Sequence, residues 1–228
     1  MGAGPGDTLM LTRRAARVLE KADVVVLDRH SLDAVAALAP AAAERCYVGR
    51  TAEGPAWSTE RIVDLLAERA AAGLIVVRLK GGDPFVCSRG GEEHLALAER
   101  GVSCTVVPGV SAATAAPLAA SVRRGRSVTI MAGNVDPAHL KLDLATLADP
   151  VASLVVLTGR SRQGFIASEL IGGGLSPATP AVLVHAATRS GERVIETSLA
   201  GLADRRLPPP ATIVIGPQVA EGSRRAHP

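Results

Sequence analysis

An apolar run that stops at a pair of glycines constrains this chain more than any other feature: residues 74–78, Leu-Ile-Val-Val-Arg, lead directly into Leu79-Lys80-Gly81-Gly82-Asp83-Pro84-Phe85-Val86. The β-branched run reads as a buried strand. Arg89-Gly90-Gly91-Glu92-Glu93 and the apolar-periodic residues 95–97 then open a helix, with acids in its first turn where the helix dipole favours negative charge. A glycine-rich loop at the carboxyl end of a strand is where open α/β sheets hold their ligands.

The strand and helix rhythm repeats on both sides of that loop. Residues 12–22 have helical spacing, with Ala15, Val18 and Leu19 on one face, and residues 23–28 read as a parallel strand that ends in the acid Asp28. Ser58 or Thr59 caps a helix through Ile62, Leu65, Leu66 and Ala70, which Gly73 closes. After Gly101, residues 104–107 are predicted as a strand, and Pro108-Gly109-Val110-Ser111 opens an alanine-rich helix to about Ala120. Strands separated by helices at this rhythm predict a parallel sheet. Composition shifts at Arg123-Arg124-Gly125-Arg126, beyond which residues 127–132, 154–157, 181–184, 193–197 and 212–215 are short β-rich runs with fewer helices between them. The expected organisation is α/β throughout: an N-terminal domain over 1–122, a C-terminal domain of mixed sheet over 127–220, and a frayed polar tail over 221–228.

Composition excludes several functions. With 228 residues, 47% of them hydrophobic, the chain can bury a sizeable core. A net charge of +3 and an aromatic content of 2% leave neither a basic patch nor a stacking platform, so no nucleic-acid partner is expected. Cys46, Cys87 and Cys104 are odd in number and lack metal spacing, and so read as reduced thiols of a cytoplasmic protein. His94, His139 and His227 show no ligand spacing with any cysteine or acid, and no metal is expected. There is no secretory signal and no apolar run of membrane-spanning length, so no membrane role is expected.

Four ordered motifs together point to a family. Gly2-Ala3-Gly4-Pro5-Gly6-Asp7, then Leu27-Asp28-Arg29, then residues 78–86, then Val107-Pro108-Gly109-Val110-Ser111-Ala112 resemble the tetrapyrrole methylases, over Gly2 to about Val219. The resemblance implies a two-domain α/β enzyme, usually a homodimer, that binds S-adenosyl-L-methionine between its domains and releases S-adenosyl-L-homocysteine. It implies C-methylation of a reduced tetrapyrrole such as uroporphyrinogen III, on the route to sirohaem or cobalamin. Carried over by motif, the cofactor positions are Pro5, Gly81, Gly82, Asp83, Val86, Ser111, Ala112, Thr158 and Ala187. The family's proton acceptor falls on Asp28 and its proton donor, a lysine after a Val-Gly pair, on Arg50. An arginine there can hold a carboxylate but is a poor proton donor. For Asp28 the residues alone leave a helix cap or a salt bridge to Arg29 as the alternative.

The chain departs from the family pattern in places. Cys87 and Ser88 stand where Phe and Gly are usual, Ser111 replaces Thr, Leu157-Thr158 replace a Tyr-Met pair, and the Pro-Leu-Thr-His-Arg stretch after the alanine-rich helix is missing. These changes alter the shape and polarity of the pocket. Two further classes therefore stay open: a diverged methyltransferase acting on another small molecule or a peptide, and a non-catalytic adenosylmethionine-binding protein. Arg123, Arg124 and Arg126 read as partners for substrate carboxylates or as a solvated linker, and His30 and His185 as bases or surface residues. Only Met1 precedes Gly2 where the family has an apolar strand. Without that strand the loop is expected to lack its anchor, so either the start lies upstream of Met1, the favoured expectation, or the first strand is supplied some other way.

Overall fold

Strand β1 (Val24–Leu27) is four consecutive apolar residues because both faces of its sheet are covered, as parallel sheets require. The fold is a computed structural model that describes residues 1–49, 54–122, 125–134 and 152–220. The chain divides into two compact units, Met1–Ser111 and Ala112–Pro228.

In the first unit β1 pairs in parallel with β2 (Glu44–Tyr47) on one side and β3 (Val76–Leu79) on the other. Val25 and Leu27 point to one face, where they pack with Leu19, Leu32 and Val35 from helices α1 (Arg13–Leu19) and α2 (Asp33–Ala36) and the short turn before α2. Val24 and Val26 point to the other face, against Ile62, Val63, Leu66 and Leu97 from helices α3 (Thr59–Ala71) and α4 (Gly90–Glu99). The caps are those expected: Thr12 accepts from the Ala15 amide and Ser58 from the Arg61 amide, while Gly73 and Gly101 close α3 and α4 with φ of +79° and +70°.

The predicted strand at residues 104–107 is absent. A strand needs a ladder of hydrogen bonds, and this segment receives one bond from its neighbour, from the Gly2 amide to the Val107 carbonyl at 2.9 Å. The first glycine loop does have an anchor, supplied by the residues present. Met1, Gly2 and Ala3 run beside β3: the Met1 amine donates to the Arg78 carbonyl at 2.8 Å, and the Ala3 amide to the Lys80 carbonyl at 2.7 Å. Gly4 and Gly82 then exchange two backbone hydrogen bonds.

The second unit contains the mixed sheet that its short β-rich runs predict. Its order is β4 (Ser127–Ala132), β5 (Ala152–Leu157), β8 (Ala211–Ile215), β6 (Pro180–His185) and β7 (Arg193–Ser198). Only β4 and β5 are parallel; every pairing of β8, β6 and β7 is antiparallel. Helix α6 (Gln163–Gly172) buries Ile166, Ala167 and Leu170 against Leu154, Val156, Leu183, Ile213 and Ile215. The alanine-rich helix α5 (Ala112–Ala119) packs against β5, β6 and β8, which places it with this unit. The composition shift near Arg123 therefore lies about a helix beyond the structural division. The predicted tail over 221–228 lies outside the described residues.

Candidate functional site

Three backbone segments meet at the carboxyl edge of the first sheet because they carry no side chains there. A Cβ on Gly2 would lie 2.6 Å from backbone atoms of both Gly109 and Gly82, and a Cβ on Gly109 would collide with the Gly82 carbonyl oxygen. Gly4 and Gly82 also have φ of +69°, a region that side chains disfavour. Pro5 is buried directly after this contact. The Asp83 carboxylate fastens the cluster: Oδ1 accepts from the Phe85 amide at 2.9 Å and Oδ2 from the Gly109 amide at 3.2 Å. Pro5, Gly81, Gly82, Asp83, Val86 and Ser111 thus belong to one set of loops in the first unit. Val86 and Ser111 are partly exposed there.

The sequence did not foretell the polar core beneath these loops. Arg78 and Lys80 alternate onto one face of β3 and meet Glu93 of α4 and Asp28 at the end of β1. Arg78 donates from Nε to Glu93 Oε2 at 3.0 Å and from Nη2 to Asp28 Oδ1 at 2.5 Å. Lys80 Nζ donates to Glu93 Oε1 at 2.9 Å and stands 4.0 Å from Asp28 Oδ2. The side chains of Arg78, Lys80 and Glu93 are 11%, 8% and 5% exposed, so two cations and two carboxylates neutralise one another inside the fold. Burial opposes the charge on Arg78, but the neighbouring Asp28 and Glu93 outweigh it and hold its pKa above the ordinary arginine value.

Asp28 is the exposed end of this network, with a side chain 34% exposed. Neither of the alternatives open for it in the sequence holds: its salt bridge runs to Arg78, and it caps no helix with its side chain. Gly49 presses on its backbone so closely that a Cβ there would overlap the Asp28 carbonyl oxygen. Arg50, the next residue and the carried-over proton donor, lies outside the described residues, as do Arg123, Arg124, His139 and His227.

In the second unit Thr158 and Ala187 follow the ends of β5 and β6, which run parallel to each other on either side of β8 and so share one edge of the sheet. The backbone there is strained, with Thr158, Ala186 and Thr188 all at positive φ, between 49° and 68°. The Thr158 hydroxyl is 2.6 Å from the Leu157 carbonyl oxygen and 2.9 Å from Asn134 Oδ1. Ala112 opens helix α5 in the same unit.

The histidines with two readings are engaged in surface and loop contacts. His30 Nδ1 is 3.2 Å from Asp33, its ring 4.2 Å from that of Tyr47, and its side chain 69% exposed. His185 Nδ1 is 2.8 Å from the Pro208 carbonyl oxygen. Among the described residues there is no group of metal-ligating side chains, and no helix is long and apolar enough to cross a membrane.

Sequence and structure comparisons place this geometry. A uroporphyrin-III C-methyltransferase from Thermus thermophilus, solved with S-adenosyl homocysteine, superimposes with a TM-score of 0.80 at 38% identity and covers 97% of each chain. A uroporphyrinogen-III C-methyltransferase from Paracoccus denitrificans is 39% identical over 95% of this chain and 79% of its own. A siroheme synthase from Pseudoalteromonas atlantica is 38% identical over 96% of this chain, which spans about half the length of that relative. The family model described as Tetrapyrrole (Corrin/Porphyrin) Methylases matches residues 1–203, and with that match the chain belongs to the tetrapyrrole methylases.

Proposed function

We propose that this chain is an S-adenosyl-L-methionine-dependent methyltransferase that C-methylates a reduced tetrapyrrole, uroporphyrinogen III, on a route to sirohaem. The observation that carries the reading is the loop cluster at the carboxyl edge of the first sheet, where Gly2, Gly82 and Gly109 let three backbone segments converge at the edge at which β1 leads into Asp28, the place where α/β sheets hold their ligands. The bound cofactor supplies an electrophilic methyl group on a sulfonium and leaves as S-adenosyl-L-homocysteine. The protein's own task is then positional, because an in-line displacement depends on the direction of approach.

In this reading Pro5, Gly81, Gly82, Asp83, Val86, Ser111, Ala112, Thr158 and Ala187 line the cofactor site. Asp83 acts through the loops, since both its oxygens already hold backbone amides. Asp28 accepts the proton that the macrocycle loses after its carbon has gained a methyl group, and its exposed edge lets that proton pass to solvent. Arg50 holds a substrate carboxylate in place of donating a proton. The protein works in the cytoplasm as a homodimer, and its product also serves cobalamin synthesis.

Anaerobic incubation with adenosylmethionine and uroporphyrinogen III, followed by mass spectrometry of the oxidised products, tests the reading. Mono- or dimethylated product is the expected result. Cofactor binding without any methylated product would overturn the choice of acceptor.

A further inference from the structure

Two arginines flank Asp28, one beside it in sequence and one beside it in space, and the structure gives them different work. Arg78 is buried and committed, with its guanidinium on Asp28 and Glu93. Asp28 and Glu93 are balanced by Arg78 and Lys80, so the buried cluster has no negative charge left for a third cation. The Arg29 side chain is exposed and makes no hydrogen bond or ion pair with any described residue, while its backbone carbonyl accepts from the Leu32 amide at 3.1 Å. Its Nη2 lies 3.3 Å, and its Cζ 4.0 Å, from the point where a Cβ on Gly81 would stand.

That contact sets Gly81 beside the guanidinium. Its φ lies outside the left-handed region, so the backbone alone does not call for glycine, unlike that of Gly82. An alanine at 81 would need the guanidinium, the flexible end of an exposed side chain, to give by only a few tenths of an ångström. An unpaired guanidinium is thus held over a glycine loop, one residue from the carboxylate proposed to take the substrate's proton.

We propose that Arg29 is a specificity-determining residue whose planar fork of N–H donors binds a carboxylate of the tetrapyrrole substrate and so orients the reacting carbon beside Asp28. The assignment rests on the methyltransferase reading above. A porphyrinogen with several acidic side chains presents carboxylates around its rim, and bidentate pairing with arginine fixes direction as well as position.

The test compares wild type with Arg29→Gln and Arg29→Lys in the same assay, adding calorimetric titration of adenosylmethionine and fluorescence titration of uroporphyrin III, the stable oxidised octacarboxylate. Arg29→Gln is expected to raise KM for uroporphyrinogen III at least tenfold, equivalent to about 1.4 kcal/mol, and to weaken uroporphyrin binding in step while adenosylmethionine affinity stays within twofold. Arg29→Lys restores part of the loss, because a point charge replaces the fork. Unchanged KM and uroporphyrin affinity in Arg29→Gln would overturn the assignment. So would a parallel loss of adenosylmethionine affinity, which would give the guanidinium to the cofactor's carboxylate. If wild type makes no methylated product, the functional reading fails; the uroporphyrin titration still decides whether Arg29 binds the octacarboxylate.

Discussion

Replacing Arg78 with Met tests whether the buried charge network is a closed account. The substitution keeps most of the side-chain volume but removes the donors to Glu93 and Asp28 and the one that reaches the Val26 carbonyl at 3.3 Å. Glu93, 5% exposed, then shares Lys80 with Asp28, and the cluster carries one uncompensated negative charge. Breaking a buried pair from one side costs ~3–5 kcal/mol. Lys80 stays on Glu93 and Asp28 can draw on solvent, so the lower end applies, ~3 kcal/mol. With a urea dependence of about 2 kcal/mol/M for a unit of this size, the unfolding midpoint falls by about 1.5 M. Trp57 is the only tryptophan and packs against the Val24, Val26 and Leu66 cluster, so its fluorescence reports this unit alone. Adding Glu93→Gln removes the orphaned charge and is expected to recover at least half of the loss. A midpoint shift below about 0.3 M, or a double variant no more stable than the single one, would refute the reasoning.

Asp28→Asn is expected to leave adenosylmethionine affinity intact and to lower turnover by about a hundredfold or more, read by steady-state kinetics; equal turnover would make Asp28 purely structural. Asp83→Ala removes the acceptor of the Phe85 and Gly109 amides, so calorimetry should show adenosylmethionine affinity reduced at least tenfold, and unchanged affinity would contradict the loop's role. The Cys46 thiol is pushed up to about 11, first by burial and then by Glu44, whose carboxylate accepts its S–H at 3.2 Å. Only the thiolate alkylates, so the rate of Cys46 modification by iodoacetamide should keep climbing about tenfold per pH unit between pH 8 and 10. A rate that levels off by pH 9 would show that the thiol is not so protected.

What the sequence reveals here is mostly what periodicity and end signals carry. The helices capped by Thr12 and Ser58, and the stops at Gly73 and Gly101, depend on contacts within a few residues, and they appear where expected. The strand predicted at residues 104–107 fails because strand identity depends on a neighbour, and its neighbour supplies one hydrogen bond. Asp28 is legible as a strand-end acid, yet its partner Arg78 is 50 positions away, and no local pattern favours it over the adjacent Arg29. A charged pair alternating in an apolar strand, Arg78 and Lys80, was the available clue to a buried network. The need for glycine at 49 and 90 arises from the carbonyls of Asp28 and Pro84, which only the folded chain brings close.

The last of the described strands, β8, is the middle strand of the second sheet and joins β5 to β6. During synthesis, before β8 is made, the other described strands of this sheet form two separate pieces, the β4 and β5 pair and the β6 and β7 hairpin, each with an unpaired edge. Residues 211–215 weld them into one sheet as they leave the ribosome. The second unit is therefore completed from its centre outward and late, and until then its nascent form depends on being kept from neighbouring chains.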